Sequence, residues 1–403
     1  MECSDVARSR SARFGSGSRI IGMSAFQLTN YAQTIIFGAG SVAKLGDAVA
    51  QAGWRRVMLC TTPSFRARGH LAPIEAALGE RLAITFEDVQ PHVPALQVAD
   101  AAALADQYQV DAVLGLGGGS SIGTAKAVSA ALASQPASPH VAVIAIPTTY
   151  AGSEMTPVFG VTEREGGGTR KITRTDASVT PRLVVYDPLL TLDLPPHMTA
   201  GTGINAVAHC VEALYSTARN PLASAAASGG LRAISHALLR CYAHGDDVAA
   251  RDEMLGGAFL AGTALAHVAM GMHHGICHVL GGTTGIAHGD ANSVMLPHVM
   301  RFHARAIAPQ LAEAGAAMGV VVAGQSDEAL AASAARQVAD WVPRCGSLRV
   351  CASWASRSGS FPTWRGWPSP VARSRTIHDP SALSPRSKRC CVKRGDVAGL
   401  LYM

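Results

Sequence analysis

The sequence predicts an α/β domain followed by an all-helical domain, and three observations carry that prediction. Between Ile35 and Asp187, short apolar runs alternate with Ala-rich stretches of helical period. From Pro188 onward no strand pattern remains. A glycine triplet stands where one of the apolar runs meets a helical stretch.

The apolar runs cover 57–60, 83–86, 112–116, 141–146 and 183–186. Near-continuous runs of this length suit strands buried on both faces of a parallel sheet, with crossover helices such as 42–52 and 96–108 between them. Beyond Pro188, the helical pattern predicts helices over 204–217, 221–242, 252–267 and 272–281. A cleft between two such halves is the default place for a small ligand.

Composition narrows the function classes. A chain of 403 residues accommodates two domains, and 48% hydrophobic with 15% charged residues suits a Gly- and Ala-rich enzyme. No apolar run approaches the ~18 residues of a membrane span, so no membrane partner is expected. The nine cysteines are odd in number and form no CxxC pair, which fits reduced thiols in a cytoplasmic protein. The net charge of +6 is unevenly placed. Residues 1–22 carry four Arg against two acids, and 344–403 carry eleven Lys or Arg against two. The body, 23–343, therefore holds nineteen basic against twenty-four acidic residues, and no nucleic-acid partner is expected.

The flanks differ from the body in kind. Residues 344–403 are dense in Ser, Arg, Pro, Trp and Cys and keep no period. They read as a disordered basic tail or as the product of a shifted reading frame; the shift accounts better for the abrupt break after the helical pattern of 329–342. Residues 1–22 read as a similar extension, with Met23 as the natural start. The expected layout is an extension (1–22), an α/β dinucleotide-binding domain (23–187), a helical catalytic domain cut short (188–343) and a tail foreign to both (344–403).

Two loops carry a nucleotide signal. The run 112–116 leads into Gly117, Gly118, Gly119 and Ser120 and then a helix over Thr124 and beyond. Glycines let backbone N–H groups approach a pyrophosphate at a helix N-terminus, although a plain strand-to-helix turn uses glycine too. After the next run come Thr148, Thr149, Tyr150 and Ser153, small polar groups at a strand's carboxyl end. Either loop alone is weak, and the pair on neighbouring strand ends is strong.

The helical half contributes histidines. Asn205 and His209 are four apart and share a helix face, as do His274 and His278; His288 opens a glycine turn ten residues later. A lone helical histidine is usually a packed or surface residue, but several at these spacings in apolar surroundings mark a site.

Together the Gly117-Gly-Gly-Ser loop, the Pro147-Thr-Thr…Gly-Ser-Glu segment and the His274-x-x-x-His278…His288-Gly pattern resemble the iron-containing alcohol dehydrogenase family. The resemblance implies the fold of that family, which is also dehydroquinate synthase-like, and assembly as a homodimer. It also implies metal-ligand positions at Asn205, His209, His274 and His288, with His278 beside them in proton transfer. Asn205 stands where the family has a carboxylate, and three imidazoles without that anion bind a divalent cation less well. No metal is therefore expected, and the four positions read as vestigial. Within the family, Asn205 and the wording from Gly271 to Gly282 look like the branch that reduces the enone of maleylacetate to 3-oxoadipate with NADH or NADPH, during (chloro)aromatic breakdown. The expected substrate is thus a small dicarboxylate, met by His278, Tyr150 and Arg174, with Lys171 and Thr62 on the cofactor. Two alternatives remain: a metal-dependent alcohol or polyol dehydrogenase of the same fold, or an inactive frameshifted copy.

Thr62 stands where the family often has an Asp that repels a 2′-phosphate. With no negative charge there, kcat/KM for NADH and NADPH should agree within about tenfold, whereas a preference for NADH above roughly a hundredfold would sink the role given to Thr62.

Overall fold

The structure is a computed structural model that describes residues 25–134, 140–165, 168–320 and 324–344. The expectations for 1–22 and 345–403 fall outside the described residues.

Six strands form one parallel sheet: β1 (Thr34–Phe37), β2 (Val57–Cys60), β3 (Leu82–Phe86), β4 (Ala112–Gly117), β5 (Ala142–Pro147) and, later in the chain, β8 (Leu183–Tyr186). Their order across the sheet is β1-β8-β5-β4-β2-β3. The helices α1 (Leu45–Gln51), α2 (Pro63–Ala67), α3 (Leu71–Leu78), α4 (Ala95–Gln107) and α5 (Gly119–Ala133) connect the first strands. Alternation along the strands explains the layers. Val57 and Leu59 pack with Leu71, Ile74 and Leu78 on one face, while Met58 and Cys60 pack with Val98, Ala101 and Val128 on the other.

Placed between β5 and β8 in the chain, β6 (Val158–Glu165) and β7 (Gly168–Thr175) form an antiparallel hairpin outside the main sheet. The sequence pattern did not predict it, because its charged residues mask the alternation. The glycines at 166–168 are the turn signal that marks it.

After β8 every regular element among the described residues is helical: α6 (Pro196–Tyr215), α7 (Pro221–Ala243), α8 (Val248–Ala266), α9 (Met272–Thr284), α10 (His288–His303), α11 (Ala308–Ala317) and α12 (Asp327–Arg344). Asn220 and Asp247 cap α7 and α8, their side chains accepting from Ala223 N–H and Ala250 N–H. His288 is the first residue of α10, where a glycine turn was expected, and α9 runs three residues beyond the predicted end to a left-handed Gly285. No described helix is long and apolar enough to cross a membrane.

One core spans both halves: Ile122, Ala145, Tyr150, Val184 and Tyr186 belong to the same cluster as the helical residues. Arg251 locks that junction. Fully buried on α8, it donates to the Tyr150 hydroxyl and to Thr199 Oγ1 at 2.9 Å each, to Gly245 O at 2.9 Å and to Leu194 O at 3.3 Å. Arg251→Met keeps the volume but strands these acceptors in the interior. It should cost about 3 kcal/mol, read as a lower midpoint of urea unfolding at unchanged slope; an unmoved midpoint would show that the junction does not depend on it.

Candidate active site

All strands of the main sheet point their carboxyl ends to one edge, and the chain reverses its direction of growth across the sheet between β2 and β4. Ligands of open α/β sheets bind in the crevice at such a reversal. Thr62 lies at the end of β2 as the N-cap position of α2, with its hydroxyl 2.8 Å from Ser64 Oγ. Across the crevice lies Gly117, at φ +138 in a region that disfavours side chains. Thr61 ties the two ends together, its hydroxyl donating to Leu116 O at 3.0 Å.

Gly118 is the N-cap position of α5, so the helix begins at Gly119, five residues earlier than the sequence pattern suggested. Gly119 is exposed and Ser120 half-buried in the first turn, whose N–H groups have no intrahelical acceptor. The second loop packs directly on the first. Thr148 N–H donates to Gly117 O at 3.0 Å, and a Cβ on Gly118 would lie 3.0 Å from Thr149 Cγ2. Thr148 and Thr149 are buried and Ser153 is half-buried.

That second loop then reaches the helical half. Gly152, at φ +77, approaches α6 and α8 so closely that a Cβ there would be 3.3 Å from Gly262 Cα and 3.6 Å from the His209 ring. Lys126 holds the loop from the other side. Its buried ammonium donates to the carbonyls of Ser153 (2.5 Å), Thr156 (2.7 Å) and Val158 (3.0 Å). Burial pulls it down to about 7, opposed by the nearby charge of Glu154.

Three helices bring the histidines together. The rings of His209 on α6 and His274 on α9 stack with centroids 4.8 Å apart; His274 lies 5.9 Å from His288, and His288 lies 5.5 Å from His278. His274 Nε2 faces Asn205 Oδ1 at 3.3 Å. His209 and His274 are buried, while His278 and His288 open toward solvent. Burial, then the charges of His274 and His288, holds His209 well below the ordinary imidazole range. His278 and His288 are lowered too, first by lost hydration and then by His274 and, further out, Lys171.

Behind the histidines lies Glu212, one turn beyond His209 on α6, whose side chain is wholly buried. Its Oε2 meets His274 Nδ1 at 2.5 Å; its Oε1 accepts from His273 N–H at 2.9 Å and from the Tyr215 hydroxyl at 2.7 Å. Burial alone would raise its pKa, but the hydrogen bond and charge of His274, then His273 and Tyr215, outweigh burial and hold it below the usual carboxylate range. The sequence pattern passed over Glu212, Lys126 and Arg251. The signal was present, since each is a charged residue inside an Ala-rich apolar helix, where charge is buried only with partners.

Two expected substrate contacts are corrected. Tyr150 is fully buried with its hydroxyl on Arg251, so it braces the junction and offers nothing to a ligand in this packing. Arg174 is exposed, 4.0 Å from Glu163, on the hairpin face that carries Phe159 and Val161. Lys171 projects from the opposite face, and only Lys171 acts on the histidines.

The comparisons decide the family. The model described as iron-containing alcohol dehydrogenase matches residues 32–188, and that for the C-terminal part of the Fe-containing alcohol dehydrogenase family matches 199–349. The chain belongs to the iron-containing alcohol dehydrogenase family. Among its relatives, maleylacetate reductase 1 of Cupriavidus pinatubonensis is 38% identical over 289 residues, covering 71% of this chain and 77% of that protein. The maleylacetate reductase of Pseudomonas knackmussii is 39% identical over 273 residues, 68% and 74% of the two chains. The crystal structure of maleylacetate reductase from Agrobacterium tumefaciens superposes with a TM-score of 0.72 at 33% identity, covering 86% of this chain and 95% of the other.

Membership overturns the expectation that no metal is required, because the family is an iron-containing one. The residues present fit a divalent cation. Buried His209 Nδ1 has no hydrogen-bond partner, and Glu212 occupies His274 Nδ1, leaving Nε2 toward Asn205. Glu212, His273 and His274 also place donor atoms within 4.8 Å of one another, but the Glu212 oxygens already accept three hydrogen bonds.

The glycine loop supplies a paired test. A Cβ at Gly115 would strike Ile122 Cα and Ser121 O at 2.8 Å, whereas one at Gly119 meets nothing within 4 Å. Gly115→Ala should lower the melting temperature by several degrees. Gly119→Ala should leave it unchanged and weaken NADPH binding about tenfold; equal NADPH affinity in Gly119→Ala and the unaltered chain would remove the phosphate from this loop.

Proposed function

We propose that the chain reduces the enone double bond of maleylacetate to 3-oxoadipate with NADH or NADPH, as a cytoplasmic homodimer in the breakdown of (chloro)aromatic compounds. The observation that carries the reading is the continuous path from the Gly117–Ser120 loop, through Thr148 and Gly152, to the histidines on α6, α9 and α10. It is supported by the two relatives at 38–39% identity, both maleylacetate reductases.

The nicotinamide cofactor supplies the hydride, and Thr62, Gly117–Ser120, Thr148, Thr149, Ser153 and Lys171 are the residues that would hold it. A divalent cation would be held by His209, His274 and His288 with the Asn205 amide, where it supplies Lewis acidity to a substrate oxygen. The remaining work falls to the chain itself. Hydride addition to the alkene carbon β to the ketone leaves an enolate, whose oxygen needs donors already in place. His278 is the proton donor: it lies one turn from His274 and stays open to solvent, so it can be recharged after each turnover. Lys171 is the ammonium at this edge for a substrate carboxylate or a cofactor phosphate.

The test is oxidation of NADH and NADPH by the full chain with maleylacetate, beside simple aldehydes and polyols. Turnover with maleylacetate and release of 3-oxoadipate are expected; turnover of alcohols or aldehydes alone would overturn the reading. His278→Ala should lower kcat about a hundredfold while leaving cofactor affinity unchanged, because it removes the general acid and nothing that touches the nucleotide.

A further inference from the structure

We propose that Glu212 is the positioning residue of the histidine group: its carboxylate fixes His274 with the proton on Nδ1 and sets the rotation of α9, which carries both His274 and His278. The role rests on the ligand positions assigned above only for its metal readout; the tautomer stands on geometry alone.

Glu212 is two kinds of partner at once. Toward α9 it acts as a capping anion. The N-cap position of that helix is Gly271, which has no side chain to cap it, and the N–H of His273 in the first turn is taken by Glu212 Oε1 at 2.9 Å. A carboxylate at a helix N-terminus is favoured by the unpaired N–H groups and by the dipole. Toward the site it acts as an acceptor, with Oε2 at 2.5 Å from His274 Nδ1. An ionised carboxylate cannot donate, so Nδ1 must carry the hydrogen, and in the neutral ring the lone pair is then on Nε2. Nε2 is the nitrogen that faces the Asn205 amide, 3.3 Å from Oδ1, and a rotation that exchanges Oδ1 for the amide NH2 gives that lone pair its donor.

The surroundings are shaped for this anion. The Tyr215 hydroxyl closes the remaining side of Oε1 at 2.7 Å. A Cβ at position 271 would lie 2.9 Å from Oε1 and 3.0 Å from Tyr215 Cε2, so only glycine there admits the carboxylate. His273 is held separately, its Nε2 3.2 Å from Asn292 O, and it adds a second neighbour that keeps α9 from rotating. Together these contacts connect α6, α9 and α10 through one carboxylate.

The substitution Glu212→Gln separates this role from packing. Its shape is the same, and its amide oxygen can still accept from His273 N–H and Tyr215. Its amide nitrogen, however, donates to His274 Nδ1, which forces the hydrogen onto Nε2 and turns the lone pair away from Asn205. The experiment is 15N spectroscopy of the full chain with labelled histidine, at a pH above the imidazole range, together with titration by Zn2+ alone and by NADPH. The unaltered chain should show His274 as the Nδ1–H tautomer and Glu212→Gln as Nε2–H. Zn2+ affinity should fall about 10–100-fold in the variant, with NADPH affinity unchanged within about twofold. An Nε2–H tautomer in the unaltered chain overturns the proposal whether or not the variant folds. So does a Glu212→Gln protein with unchanged tautomer and Zn2+ affinity. Glu212→Asp keeps the charge and should recover the Nδ1–H tautomer. Failure of the unaltered chain to bind NADPH or reduce maleylacetate would count against the function proposed above and leave the tautomer result to decide this one.

Discussion

Gly152 is the point at which the sheet edge and the histidines become one structure. The backbone leaving β5 has to pass between α6 and α8, and it does so with glycine on both sides of the narrowest approach, Gly152 and Gly262. No side chain fits there without moving a helix. The chain on either side of it is clamped from opposite directions: after it, Lys126 draws the carbonyls of Ser153, Thr156 and Val158 toward α5, and before it, Arg251 draws Tyr150 toward α8. A displacement of the sheet edge is therefore transmitted to His209 rather than absorbed by a loop. Reaction geometry tolerates errors well under an ångström, and a clamped backbone is the means by which two domains can meet that tolerance.

The same closeness decides what charge the site presents. Two imidazoles stacked 4.8 Å apart, both buried, cannot both be protonated at moderate cost, and His209 is the one held well below its ordinary range. His209 is thus the neutral imidazole of the stacked pair. A dianionic substrate would also need a fixed cation beside the cluster. Lys171 is placed for it by the register of the hairpin, which puts Lys171 and Arg174 on opposite faces. That register, a matter of odd or even spacing along a strand, is what removes Arg174 from the site.

Much of this was legible in the sequence, and what was not has physical reasons. The runs at 57–60 and 183–186 coincide with β2 and β8, because strands buried on both faces leave an unbroken apolar signal. The histidine spacings placed His274 and His278 on one helix, because a separation of four residues has only one reading in that period. The hairpin β6–β7 was not legible: among the described side chains of β6 only Phe159 and Val161 enter the core, and the charged residues around them leave little hydrophobic alternation to read. Tyr150 was misread because its neighbours in sequence line the ligand edge while its own side chain turns inward to Arg251, a partner 101 residues away. Long-range partners of this kind leave no local periodicity. Glu212 was missed for the same reason, its meaning residing in α9, about 60 residues on.

The neutral Asn205 led to the expectation of a site without metal, and the error lay in counting charge at one position only. The position at which the resemblance implied a carboxylate holds an amide, yet a negative charge stands one layer behind it on Glu212. Acting through His274 Nδ1–H, that charge makes Nε2 a stronger donor than an isolated imidazole, since an anion accepting the far proton raises the basicity of the ring. The two arrangements are not equivalent. An anion in the first layer attracts any cation directly, including a proton. An anion behind a histidine acts mainly through that ring, and here it is buried beneath Tyr215 and the close backbone of Gly271. The chain thereby keeps an acceptor of defined direction at the centre of the cleft, while the surface that a dicarboxylate substrate would meet stays free of the repulsion a carboxylate at position 205 would impose.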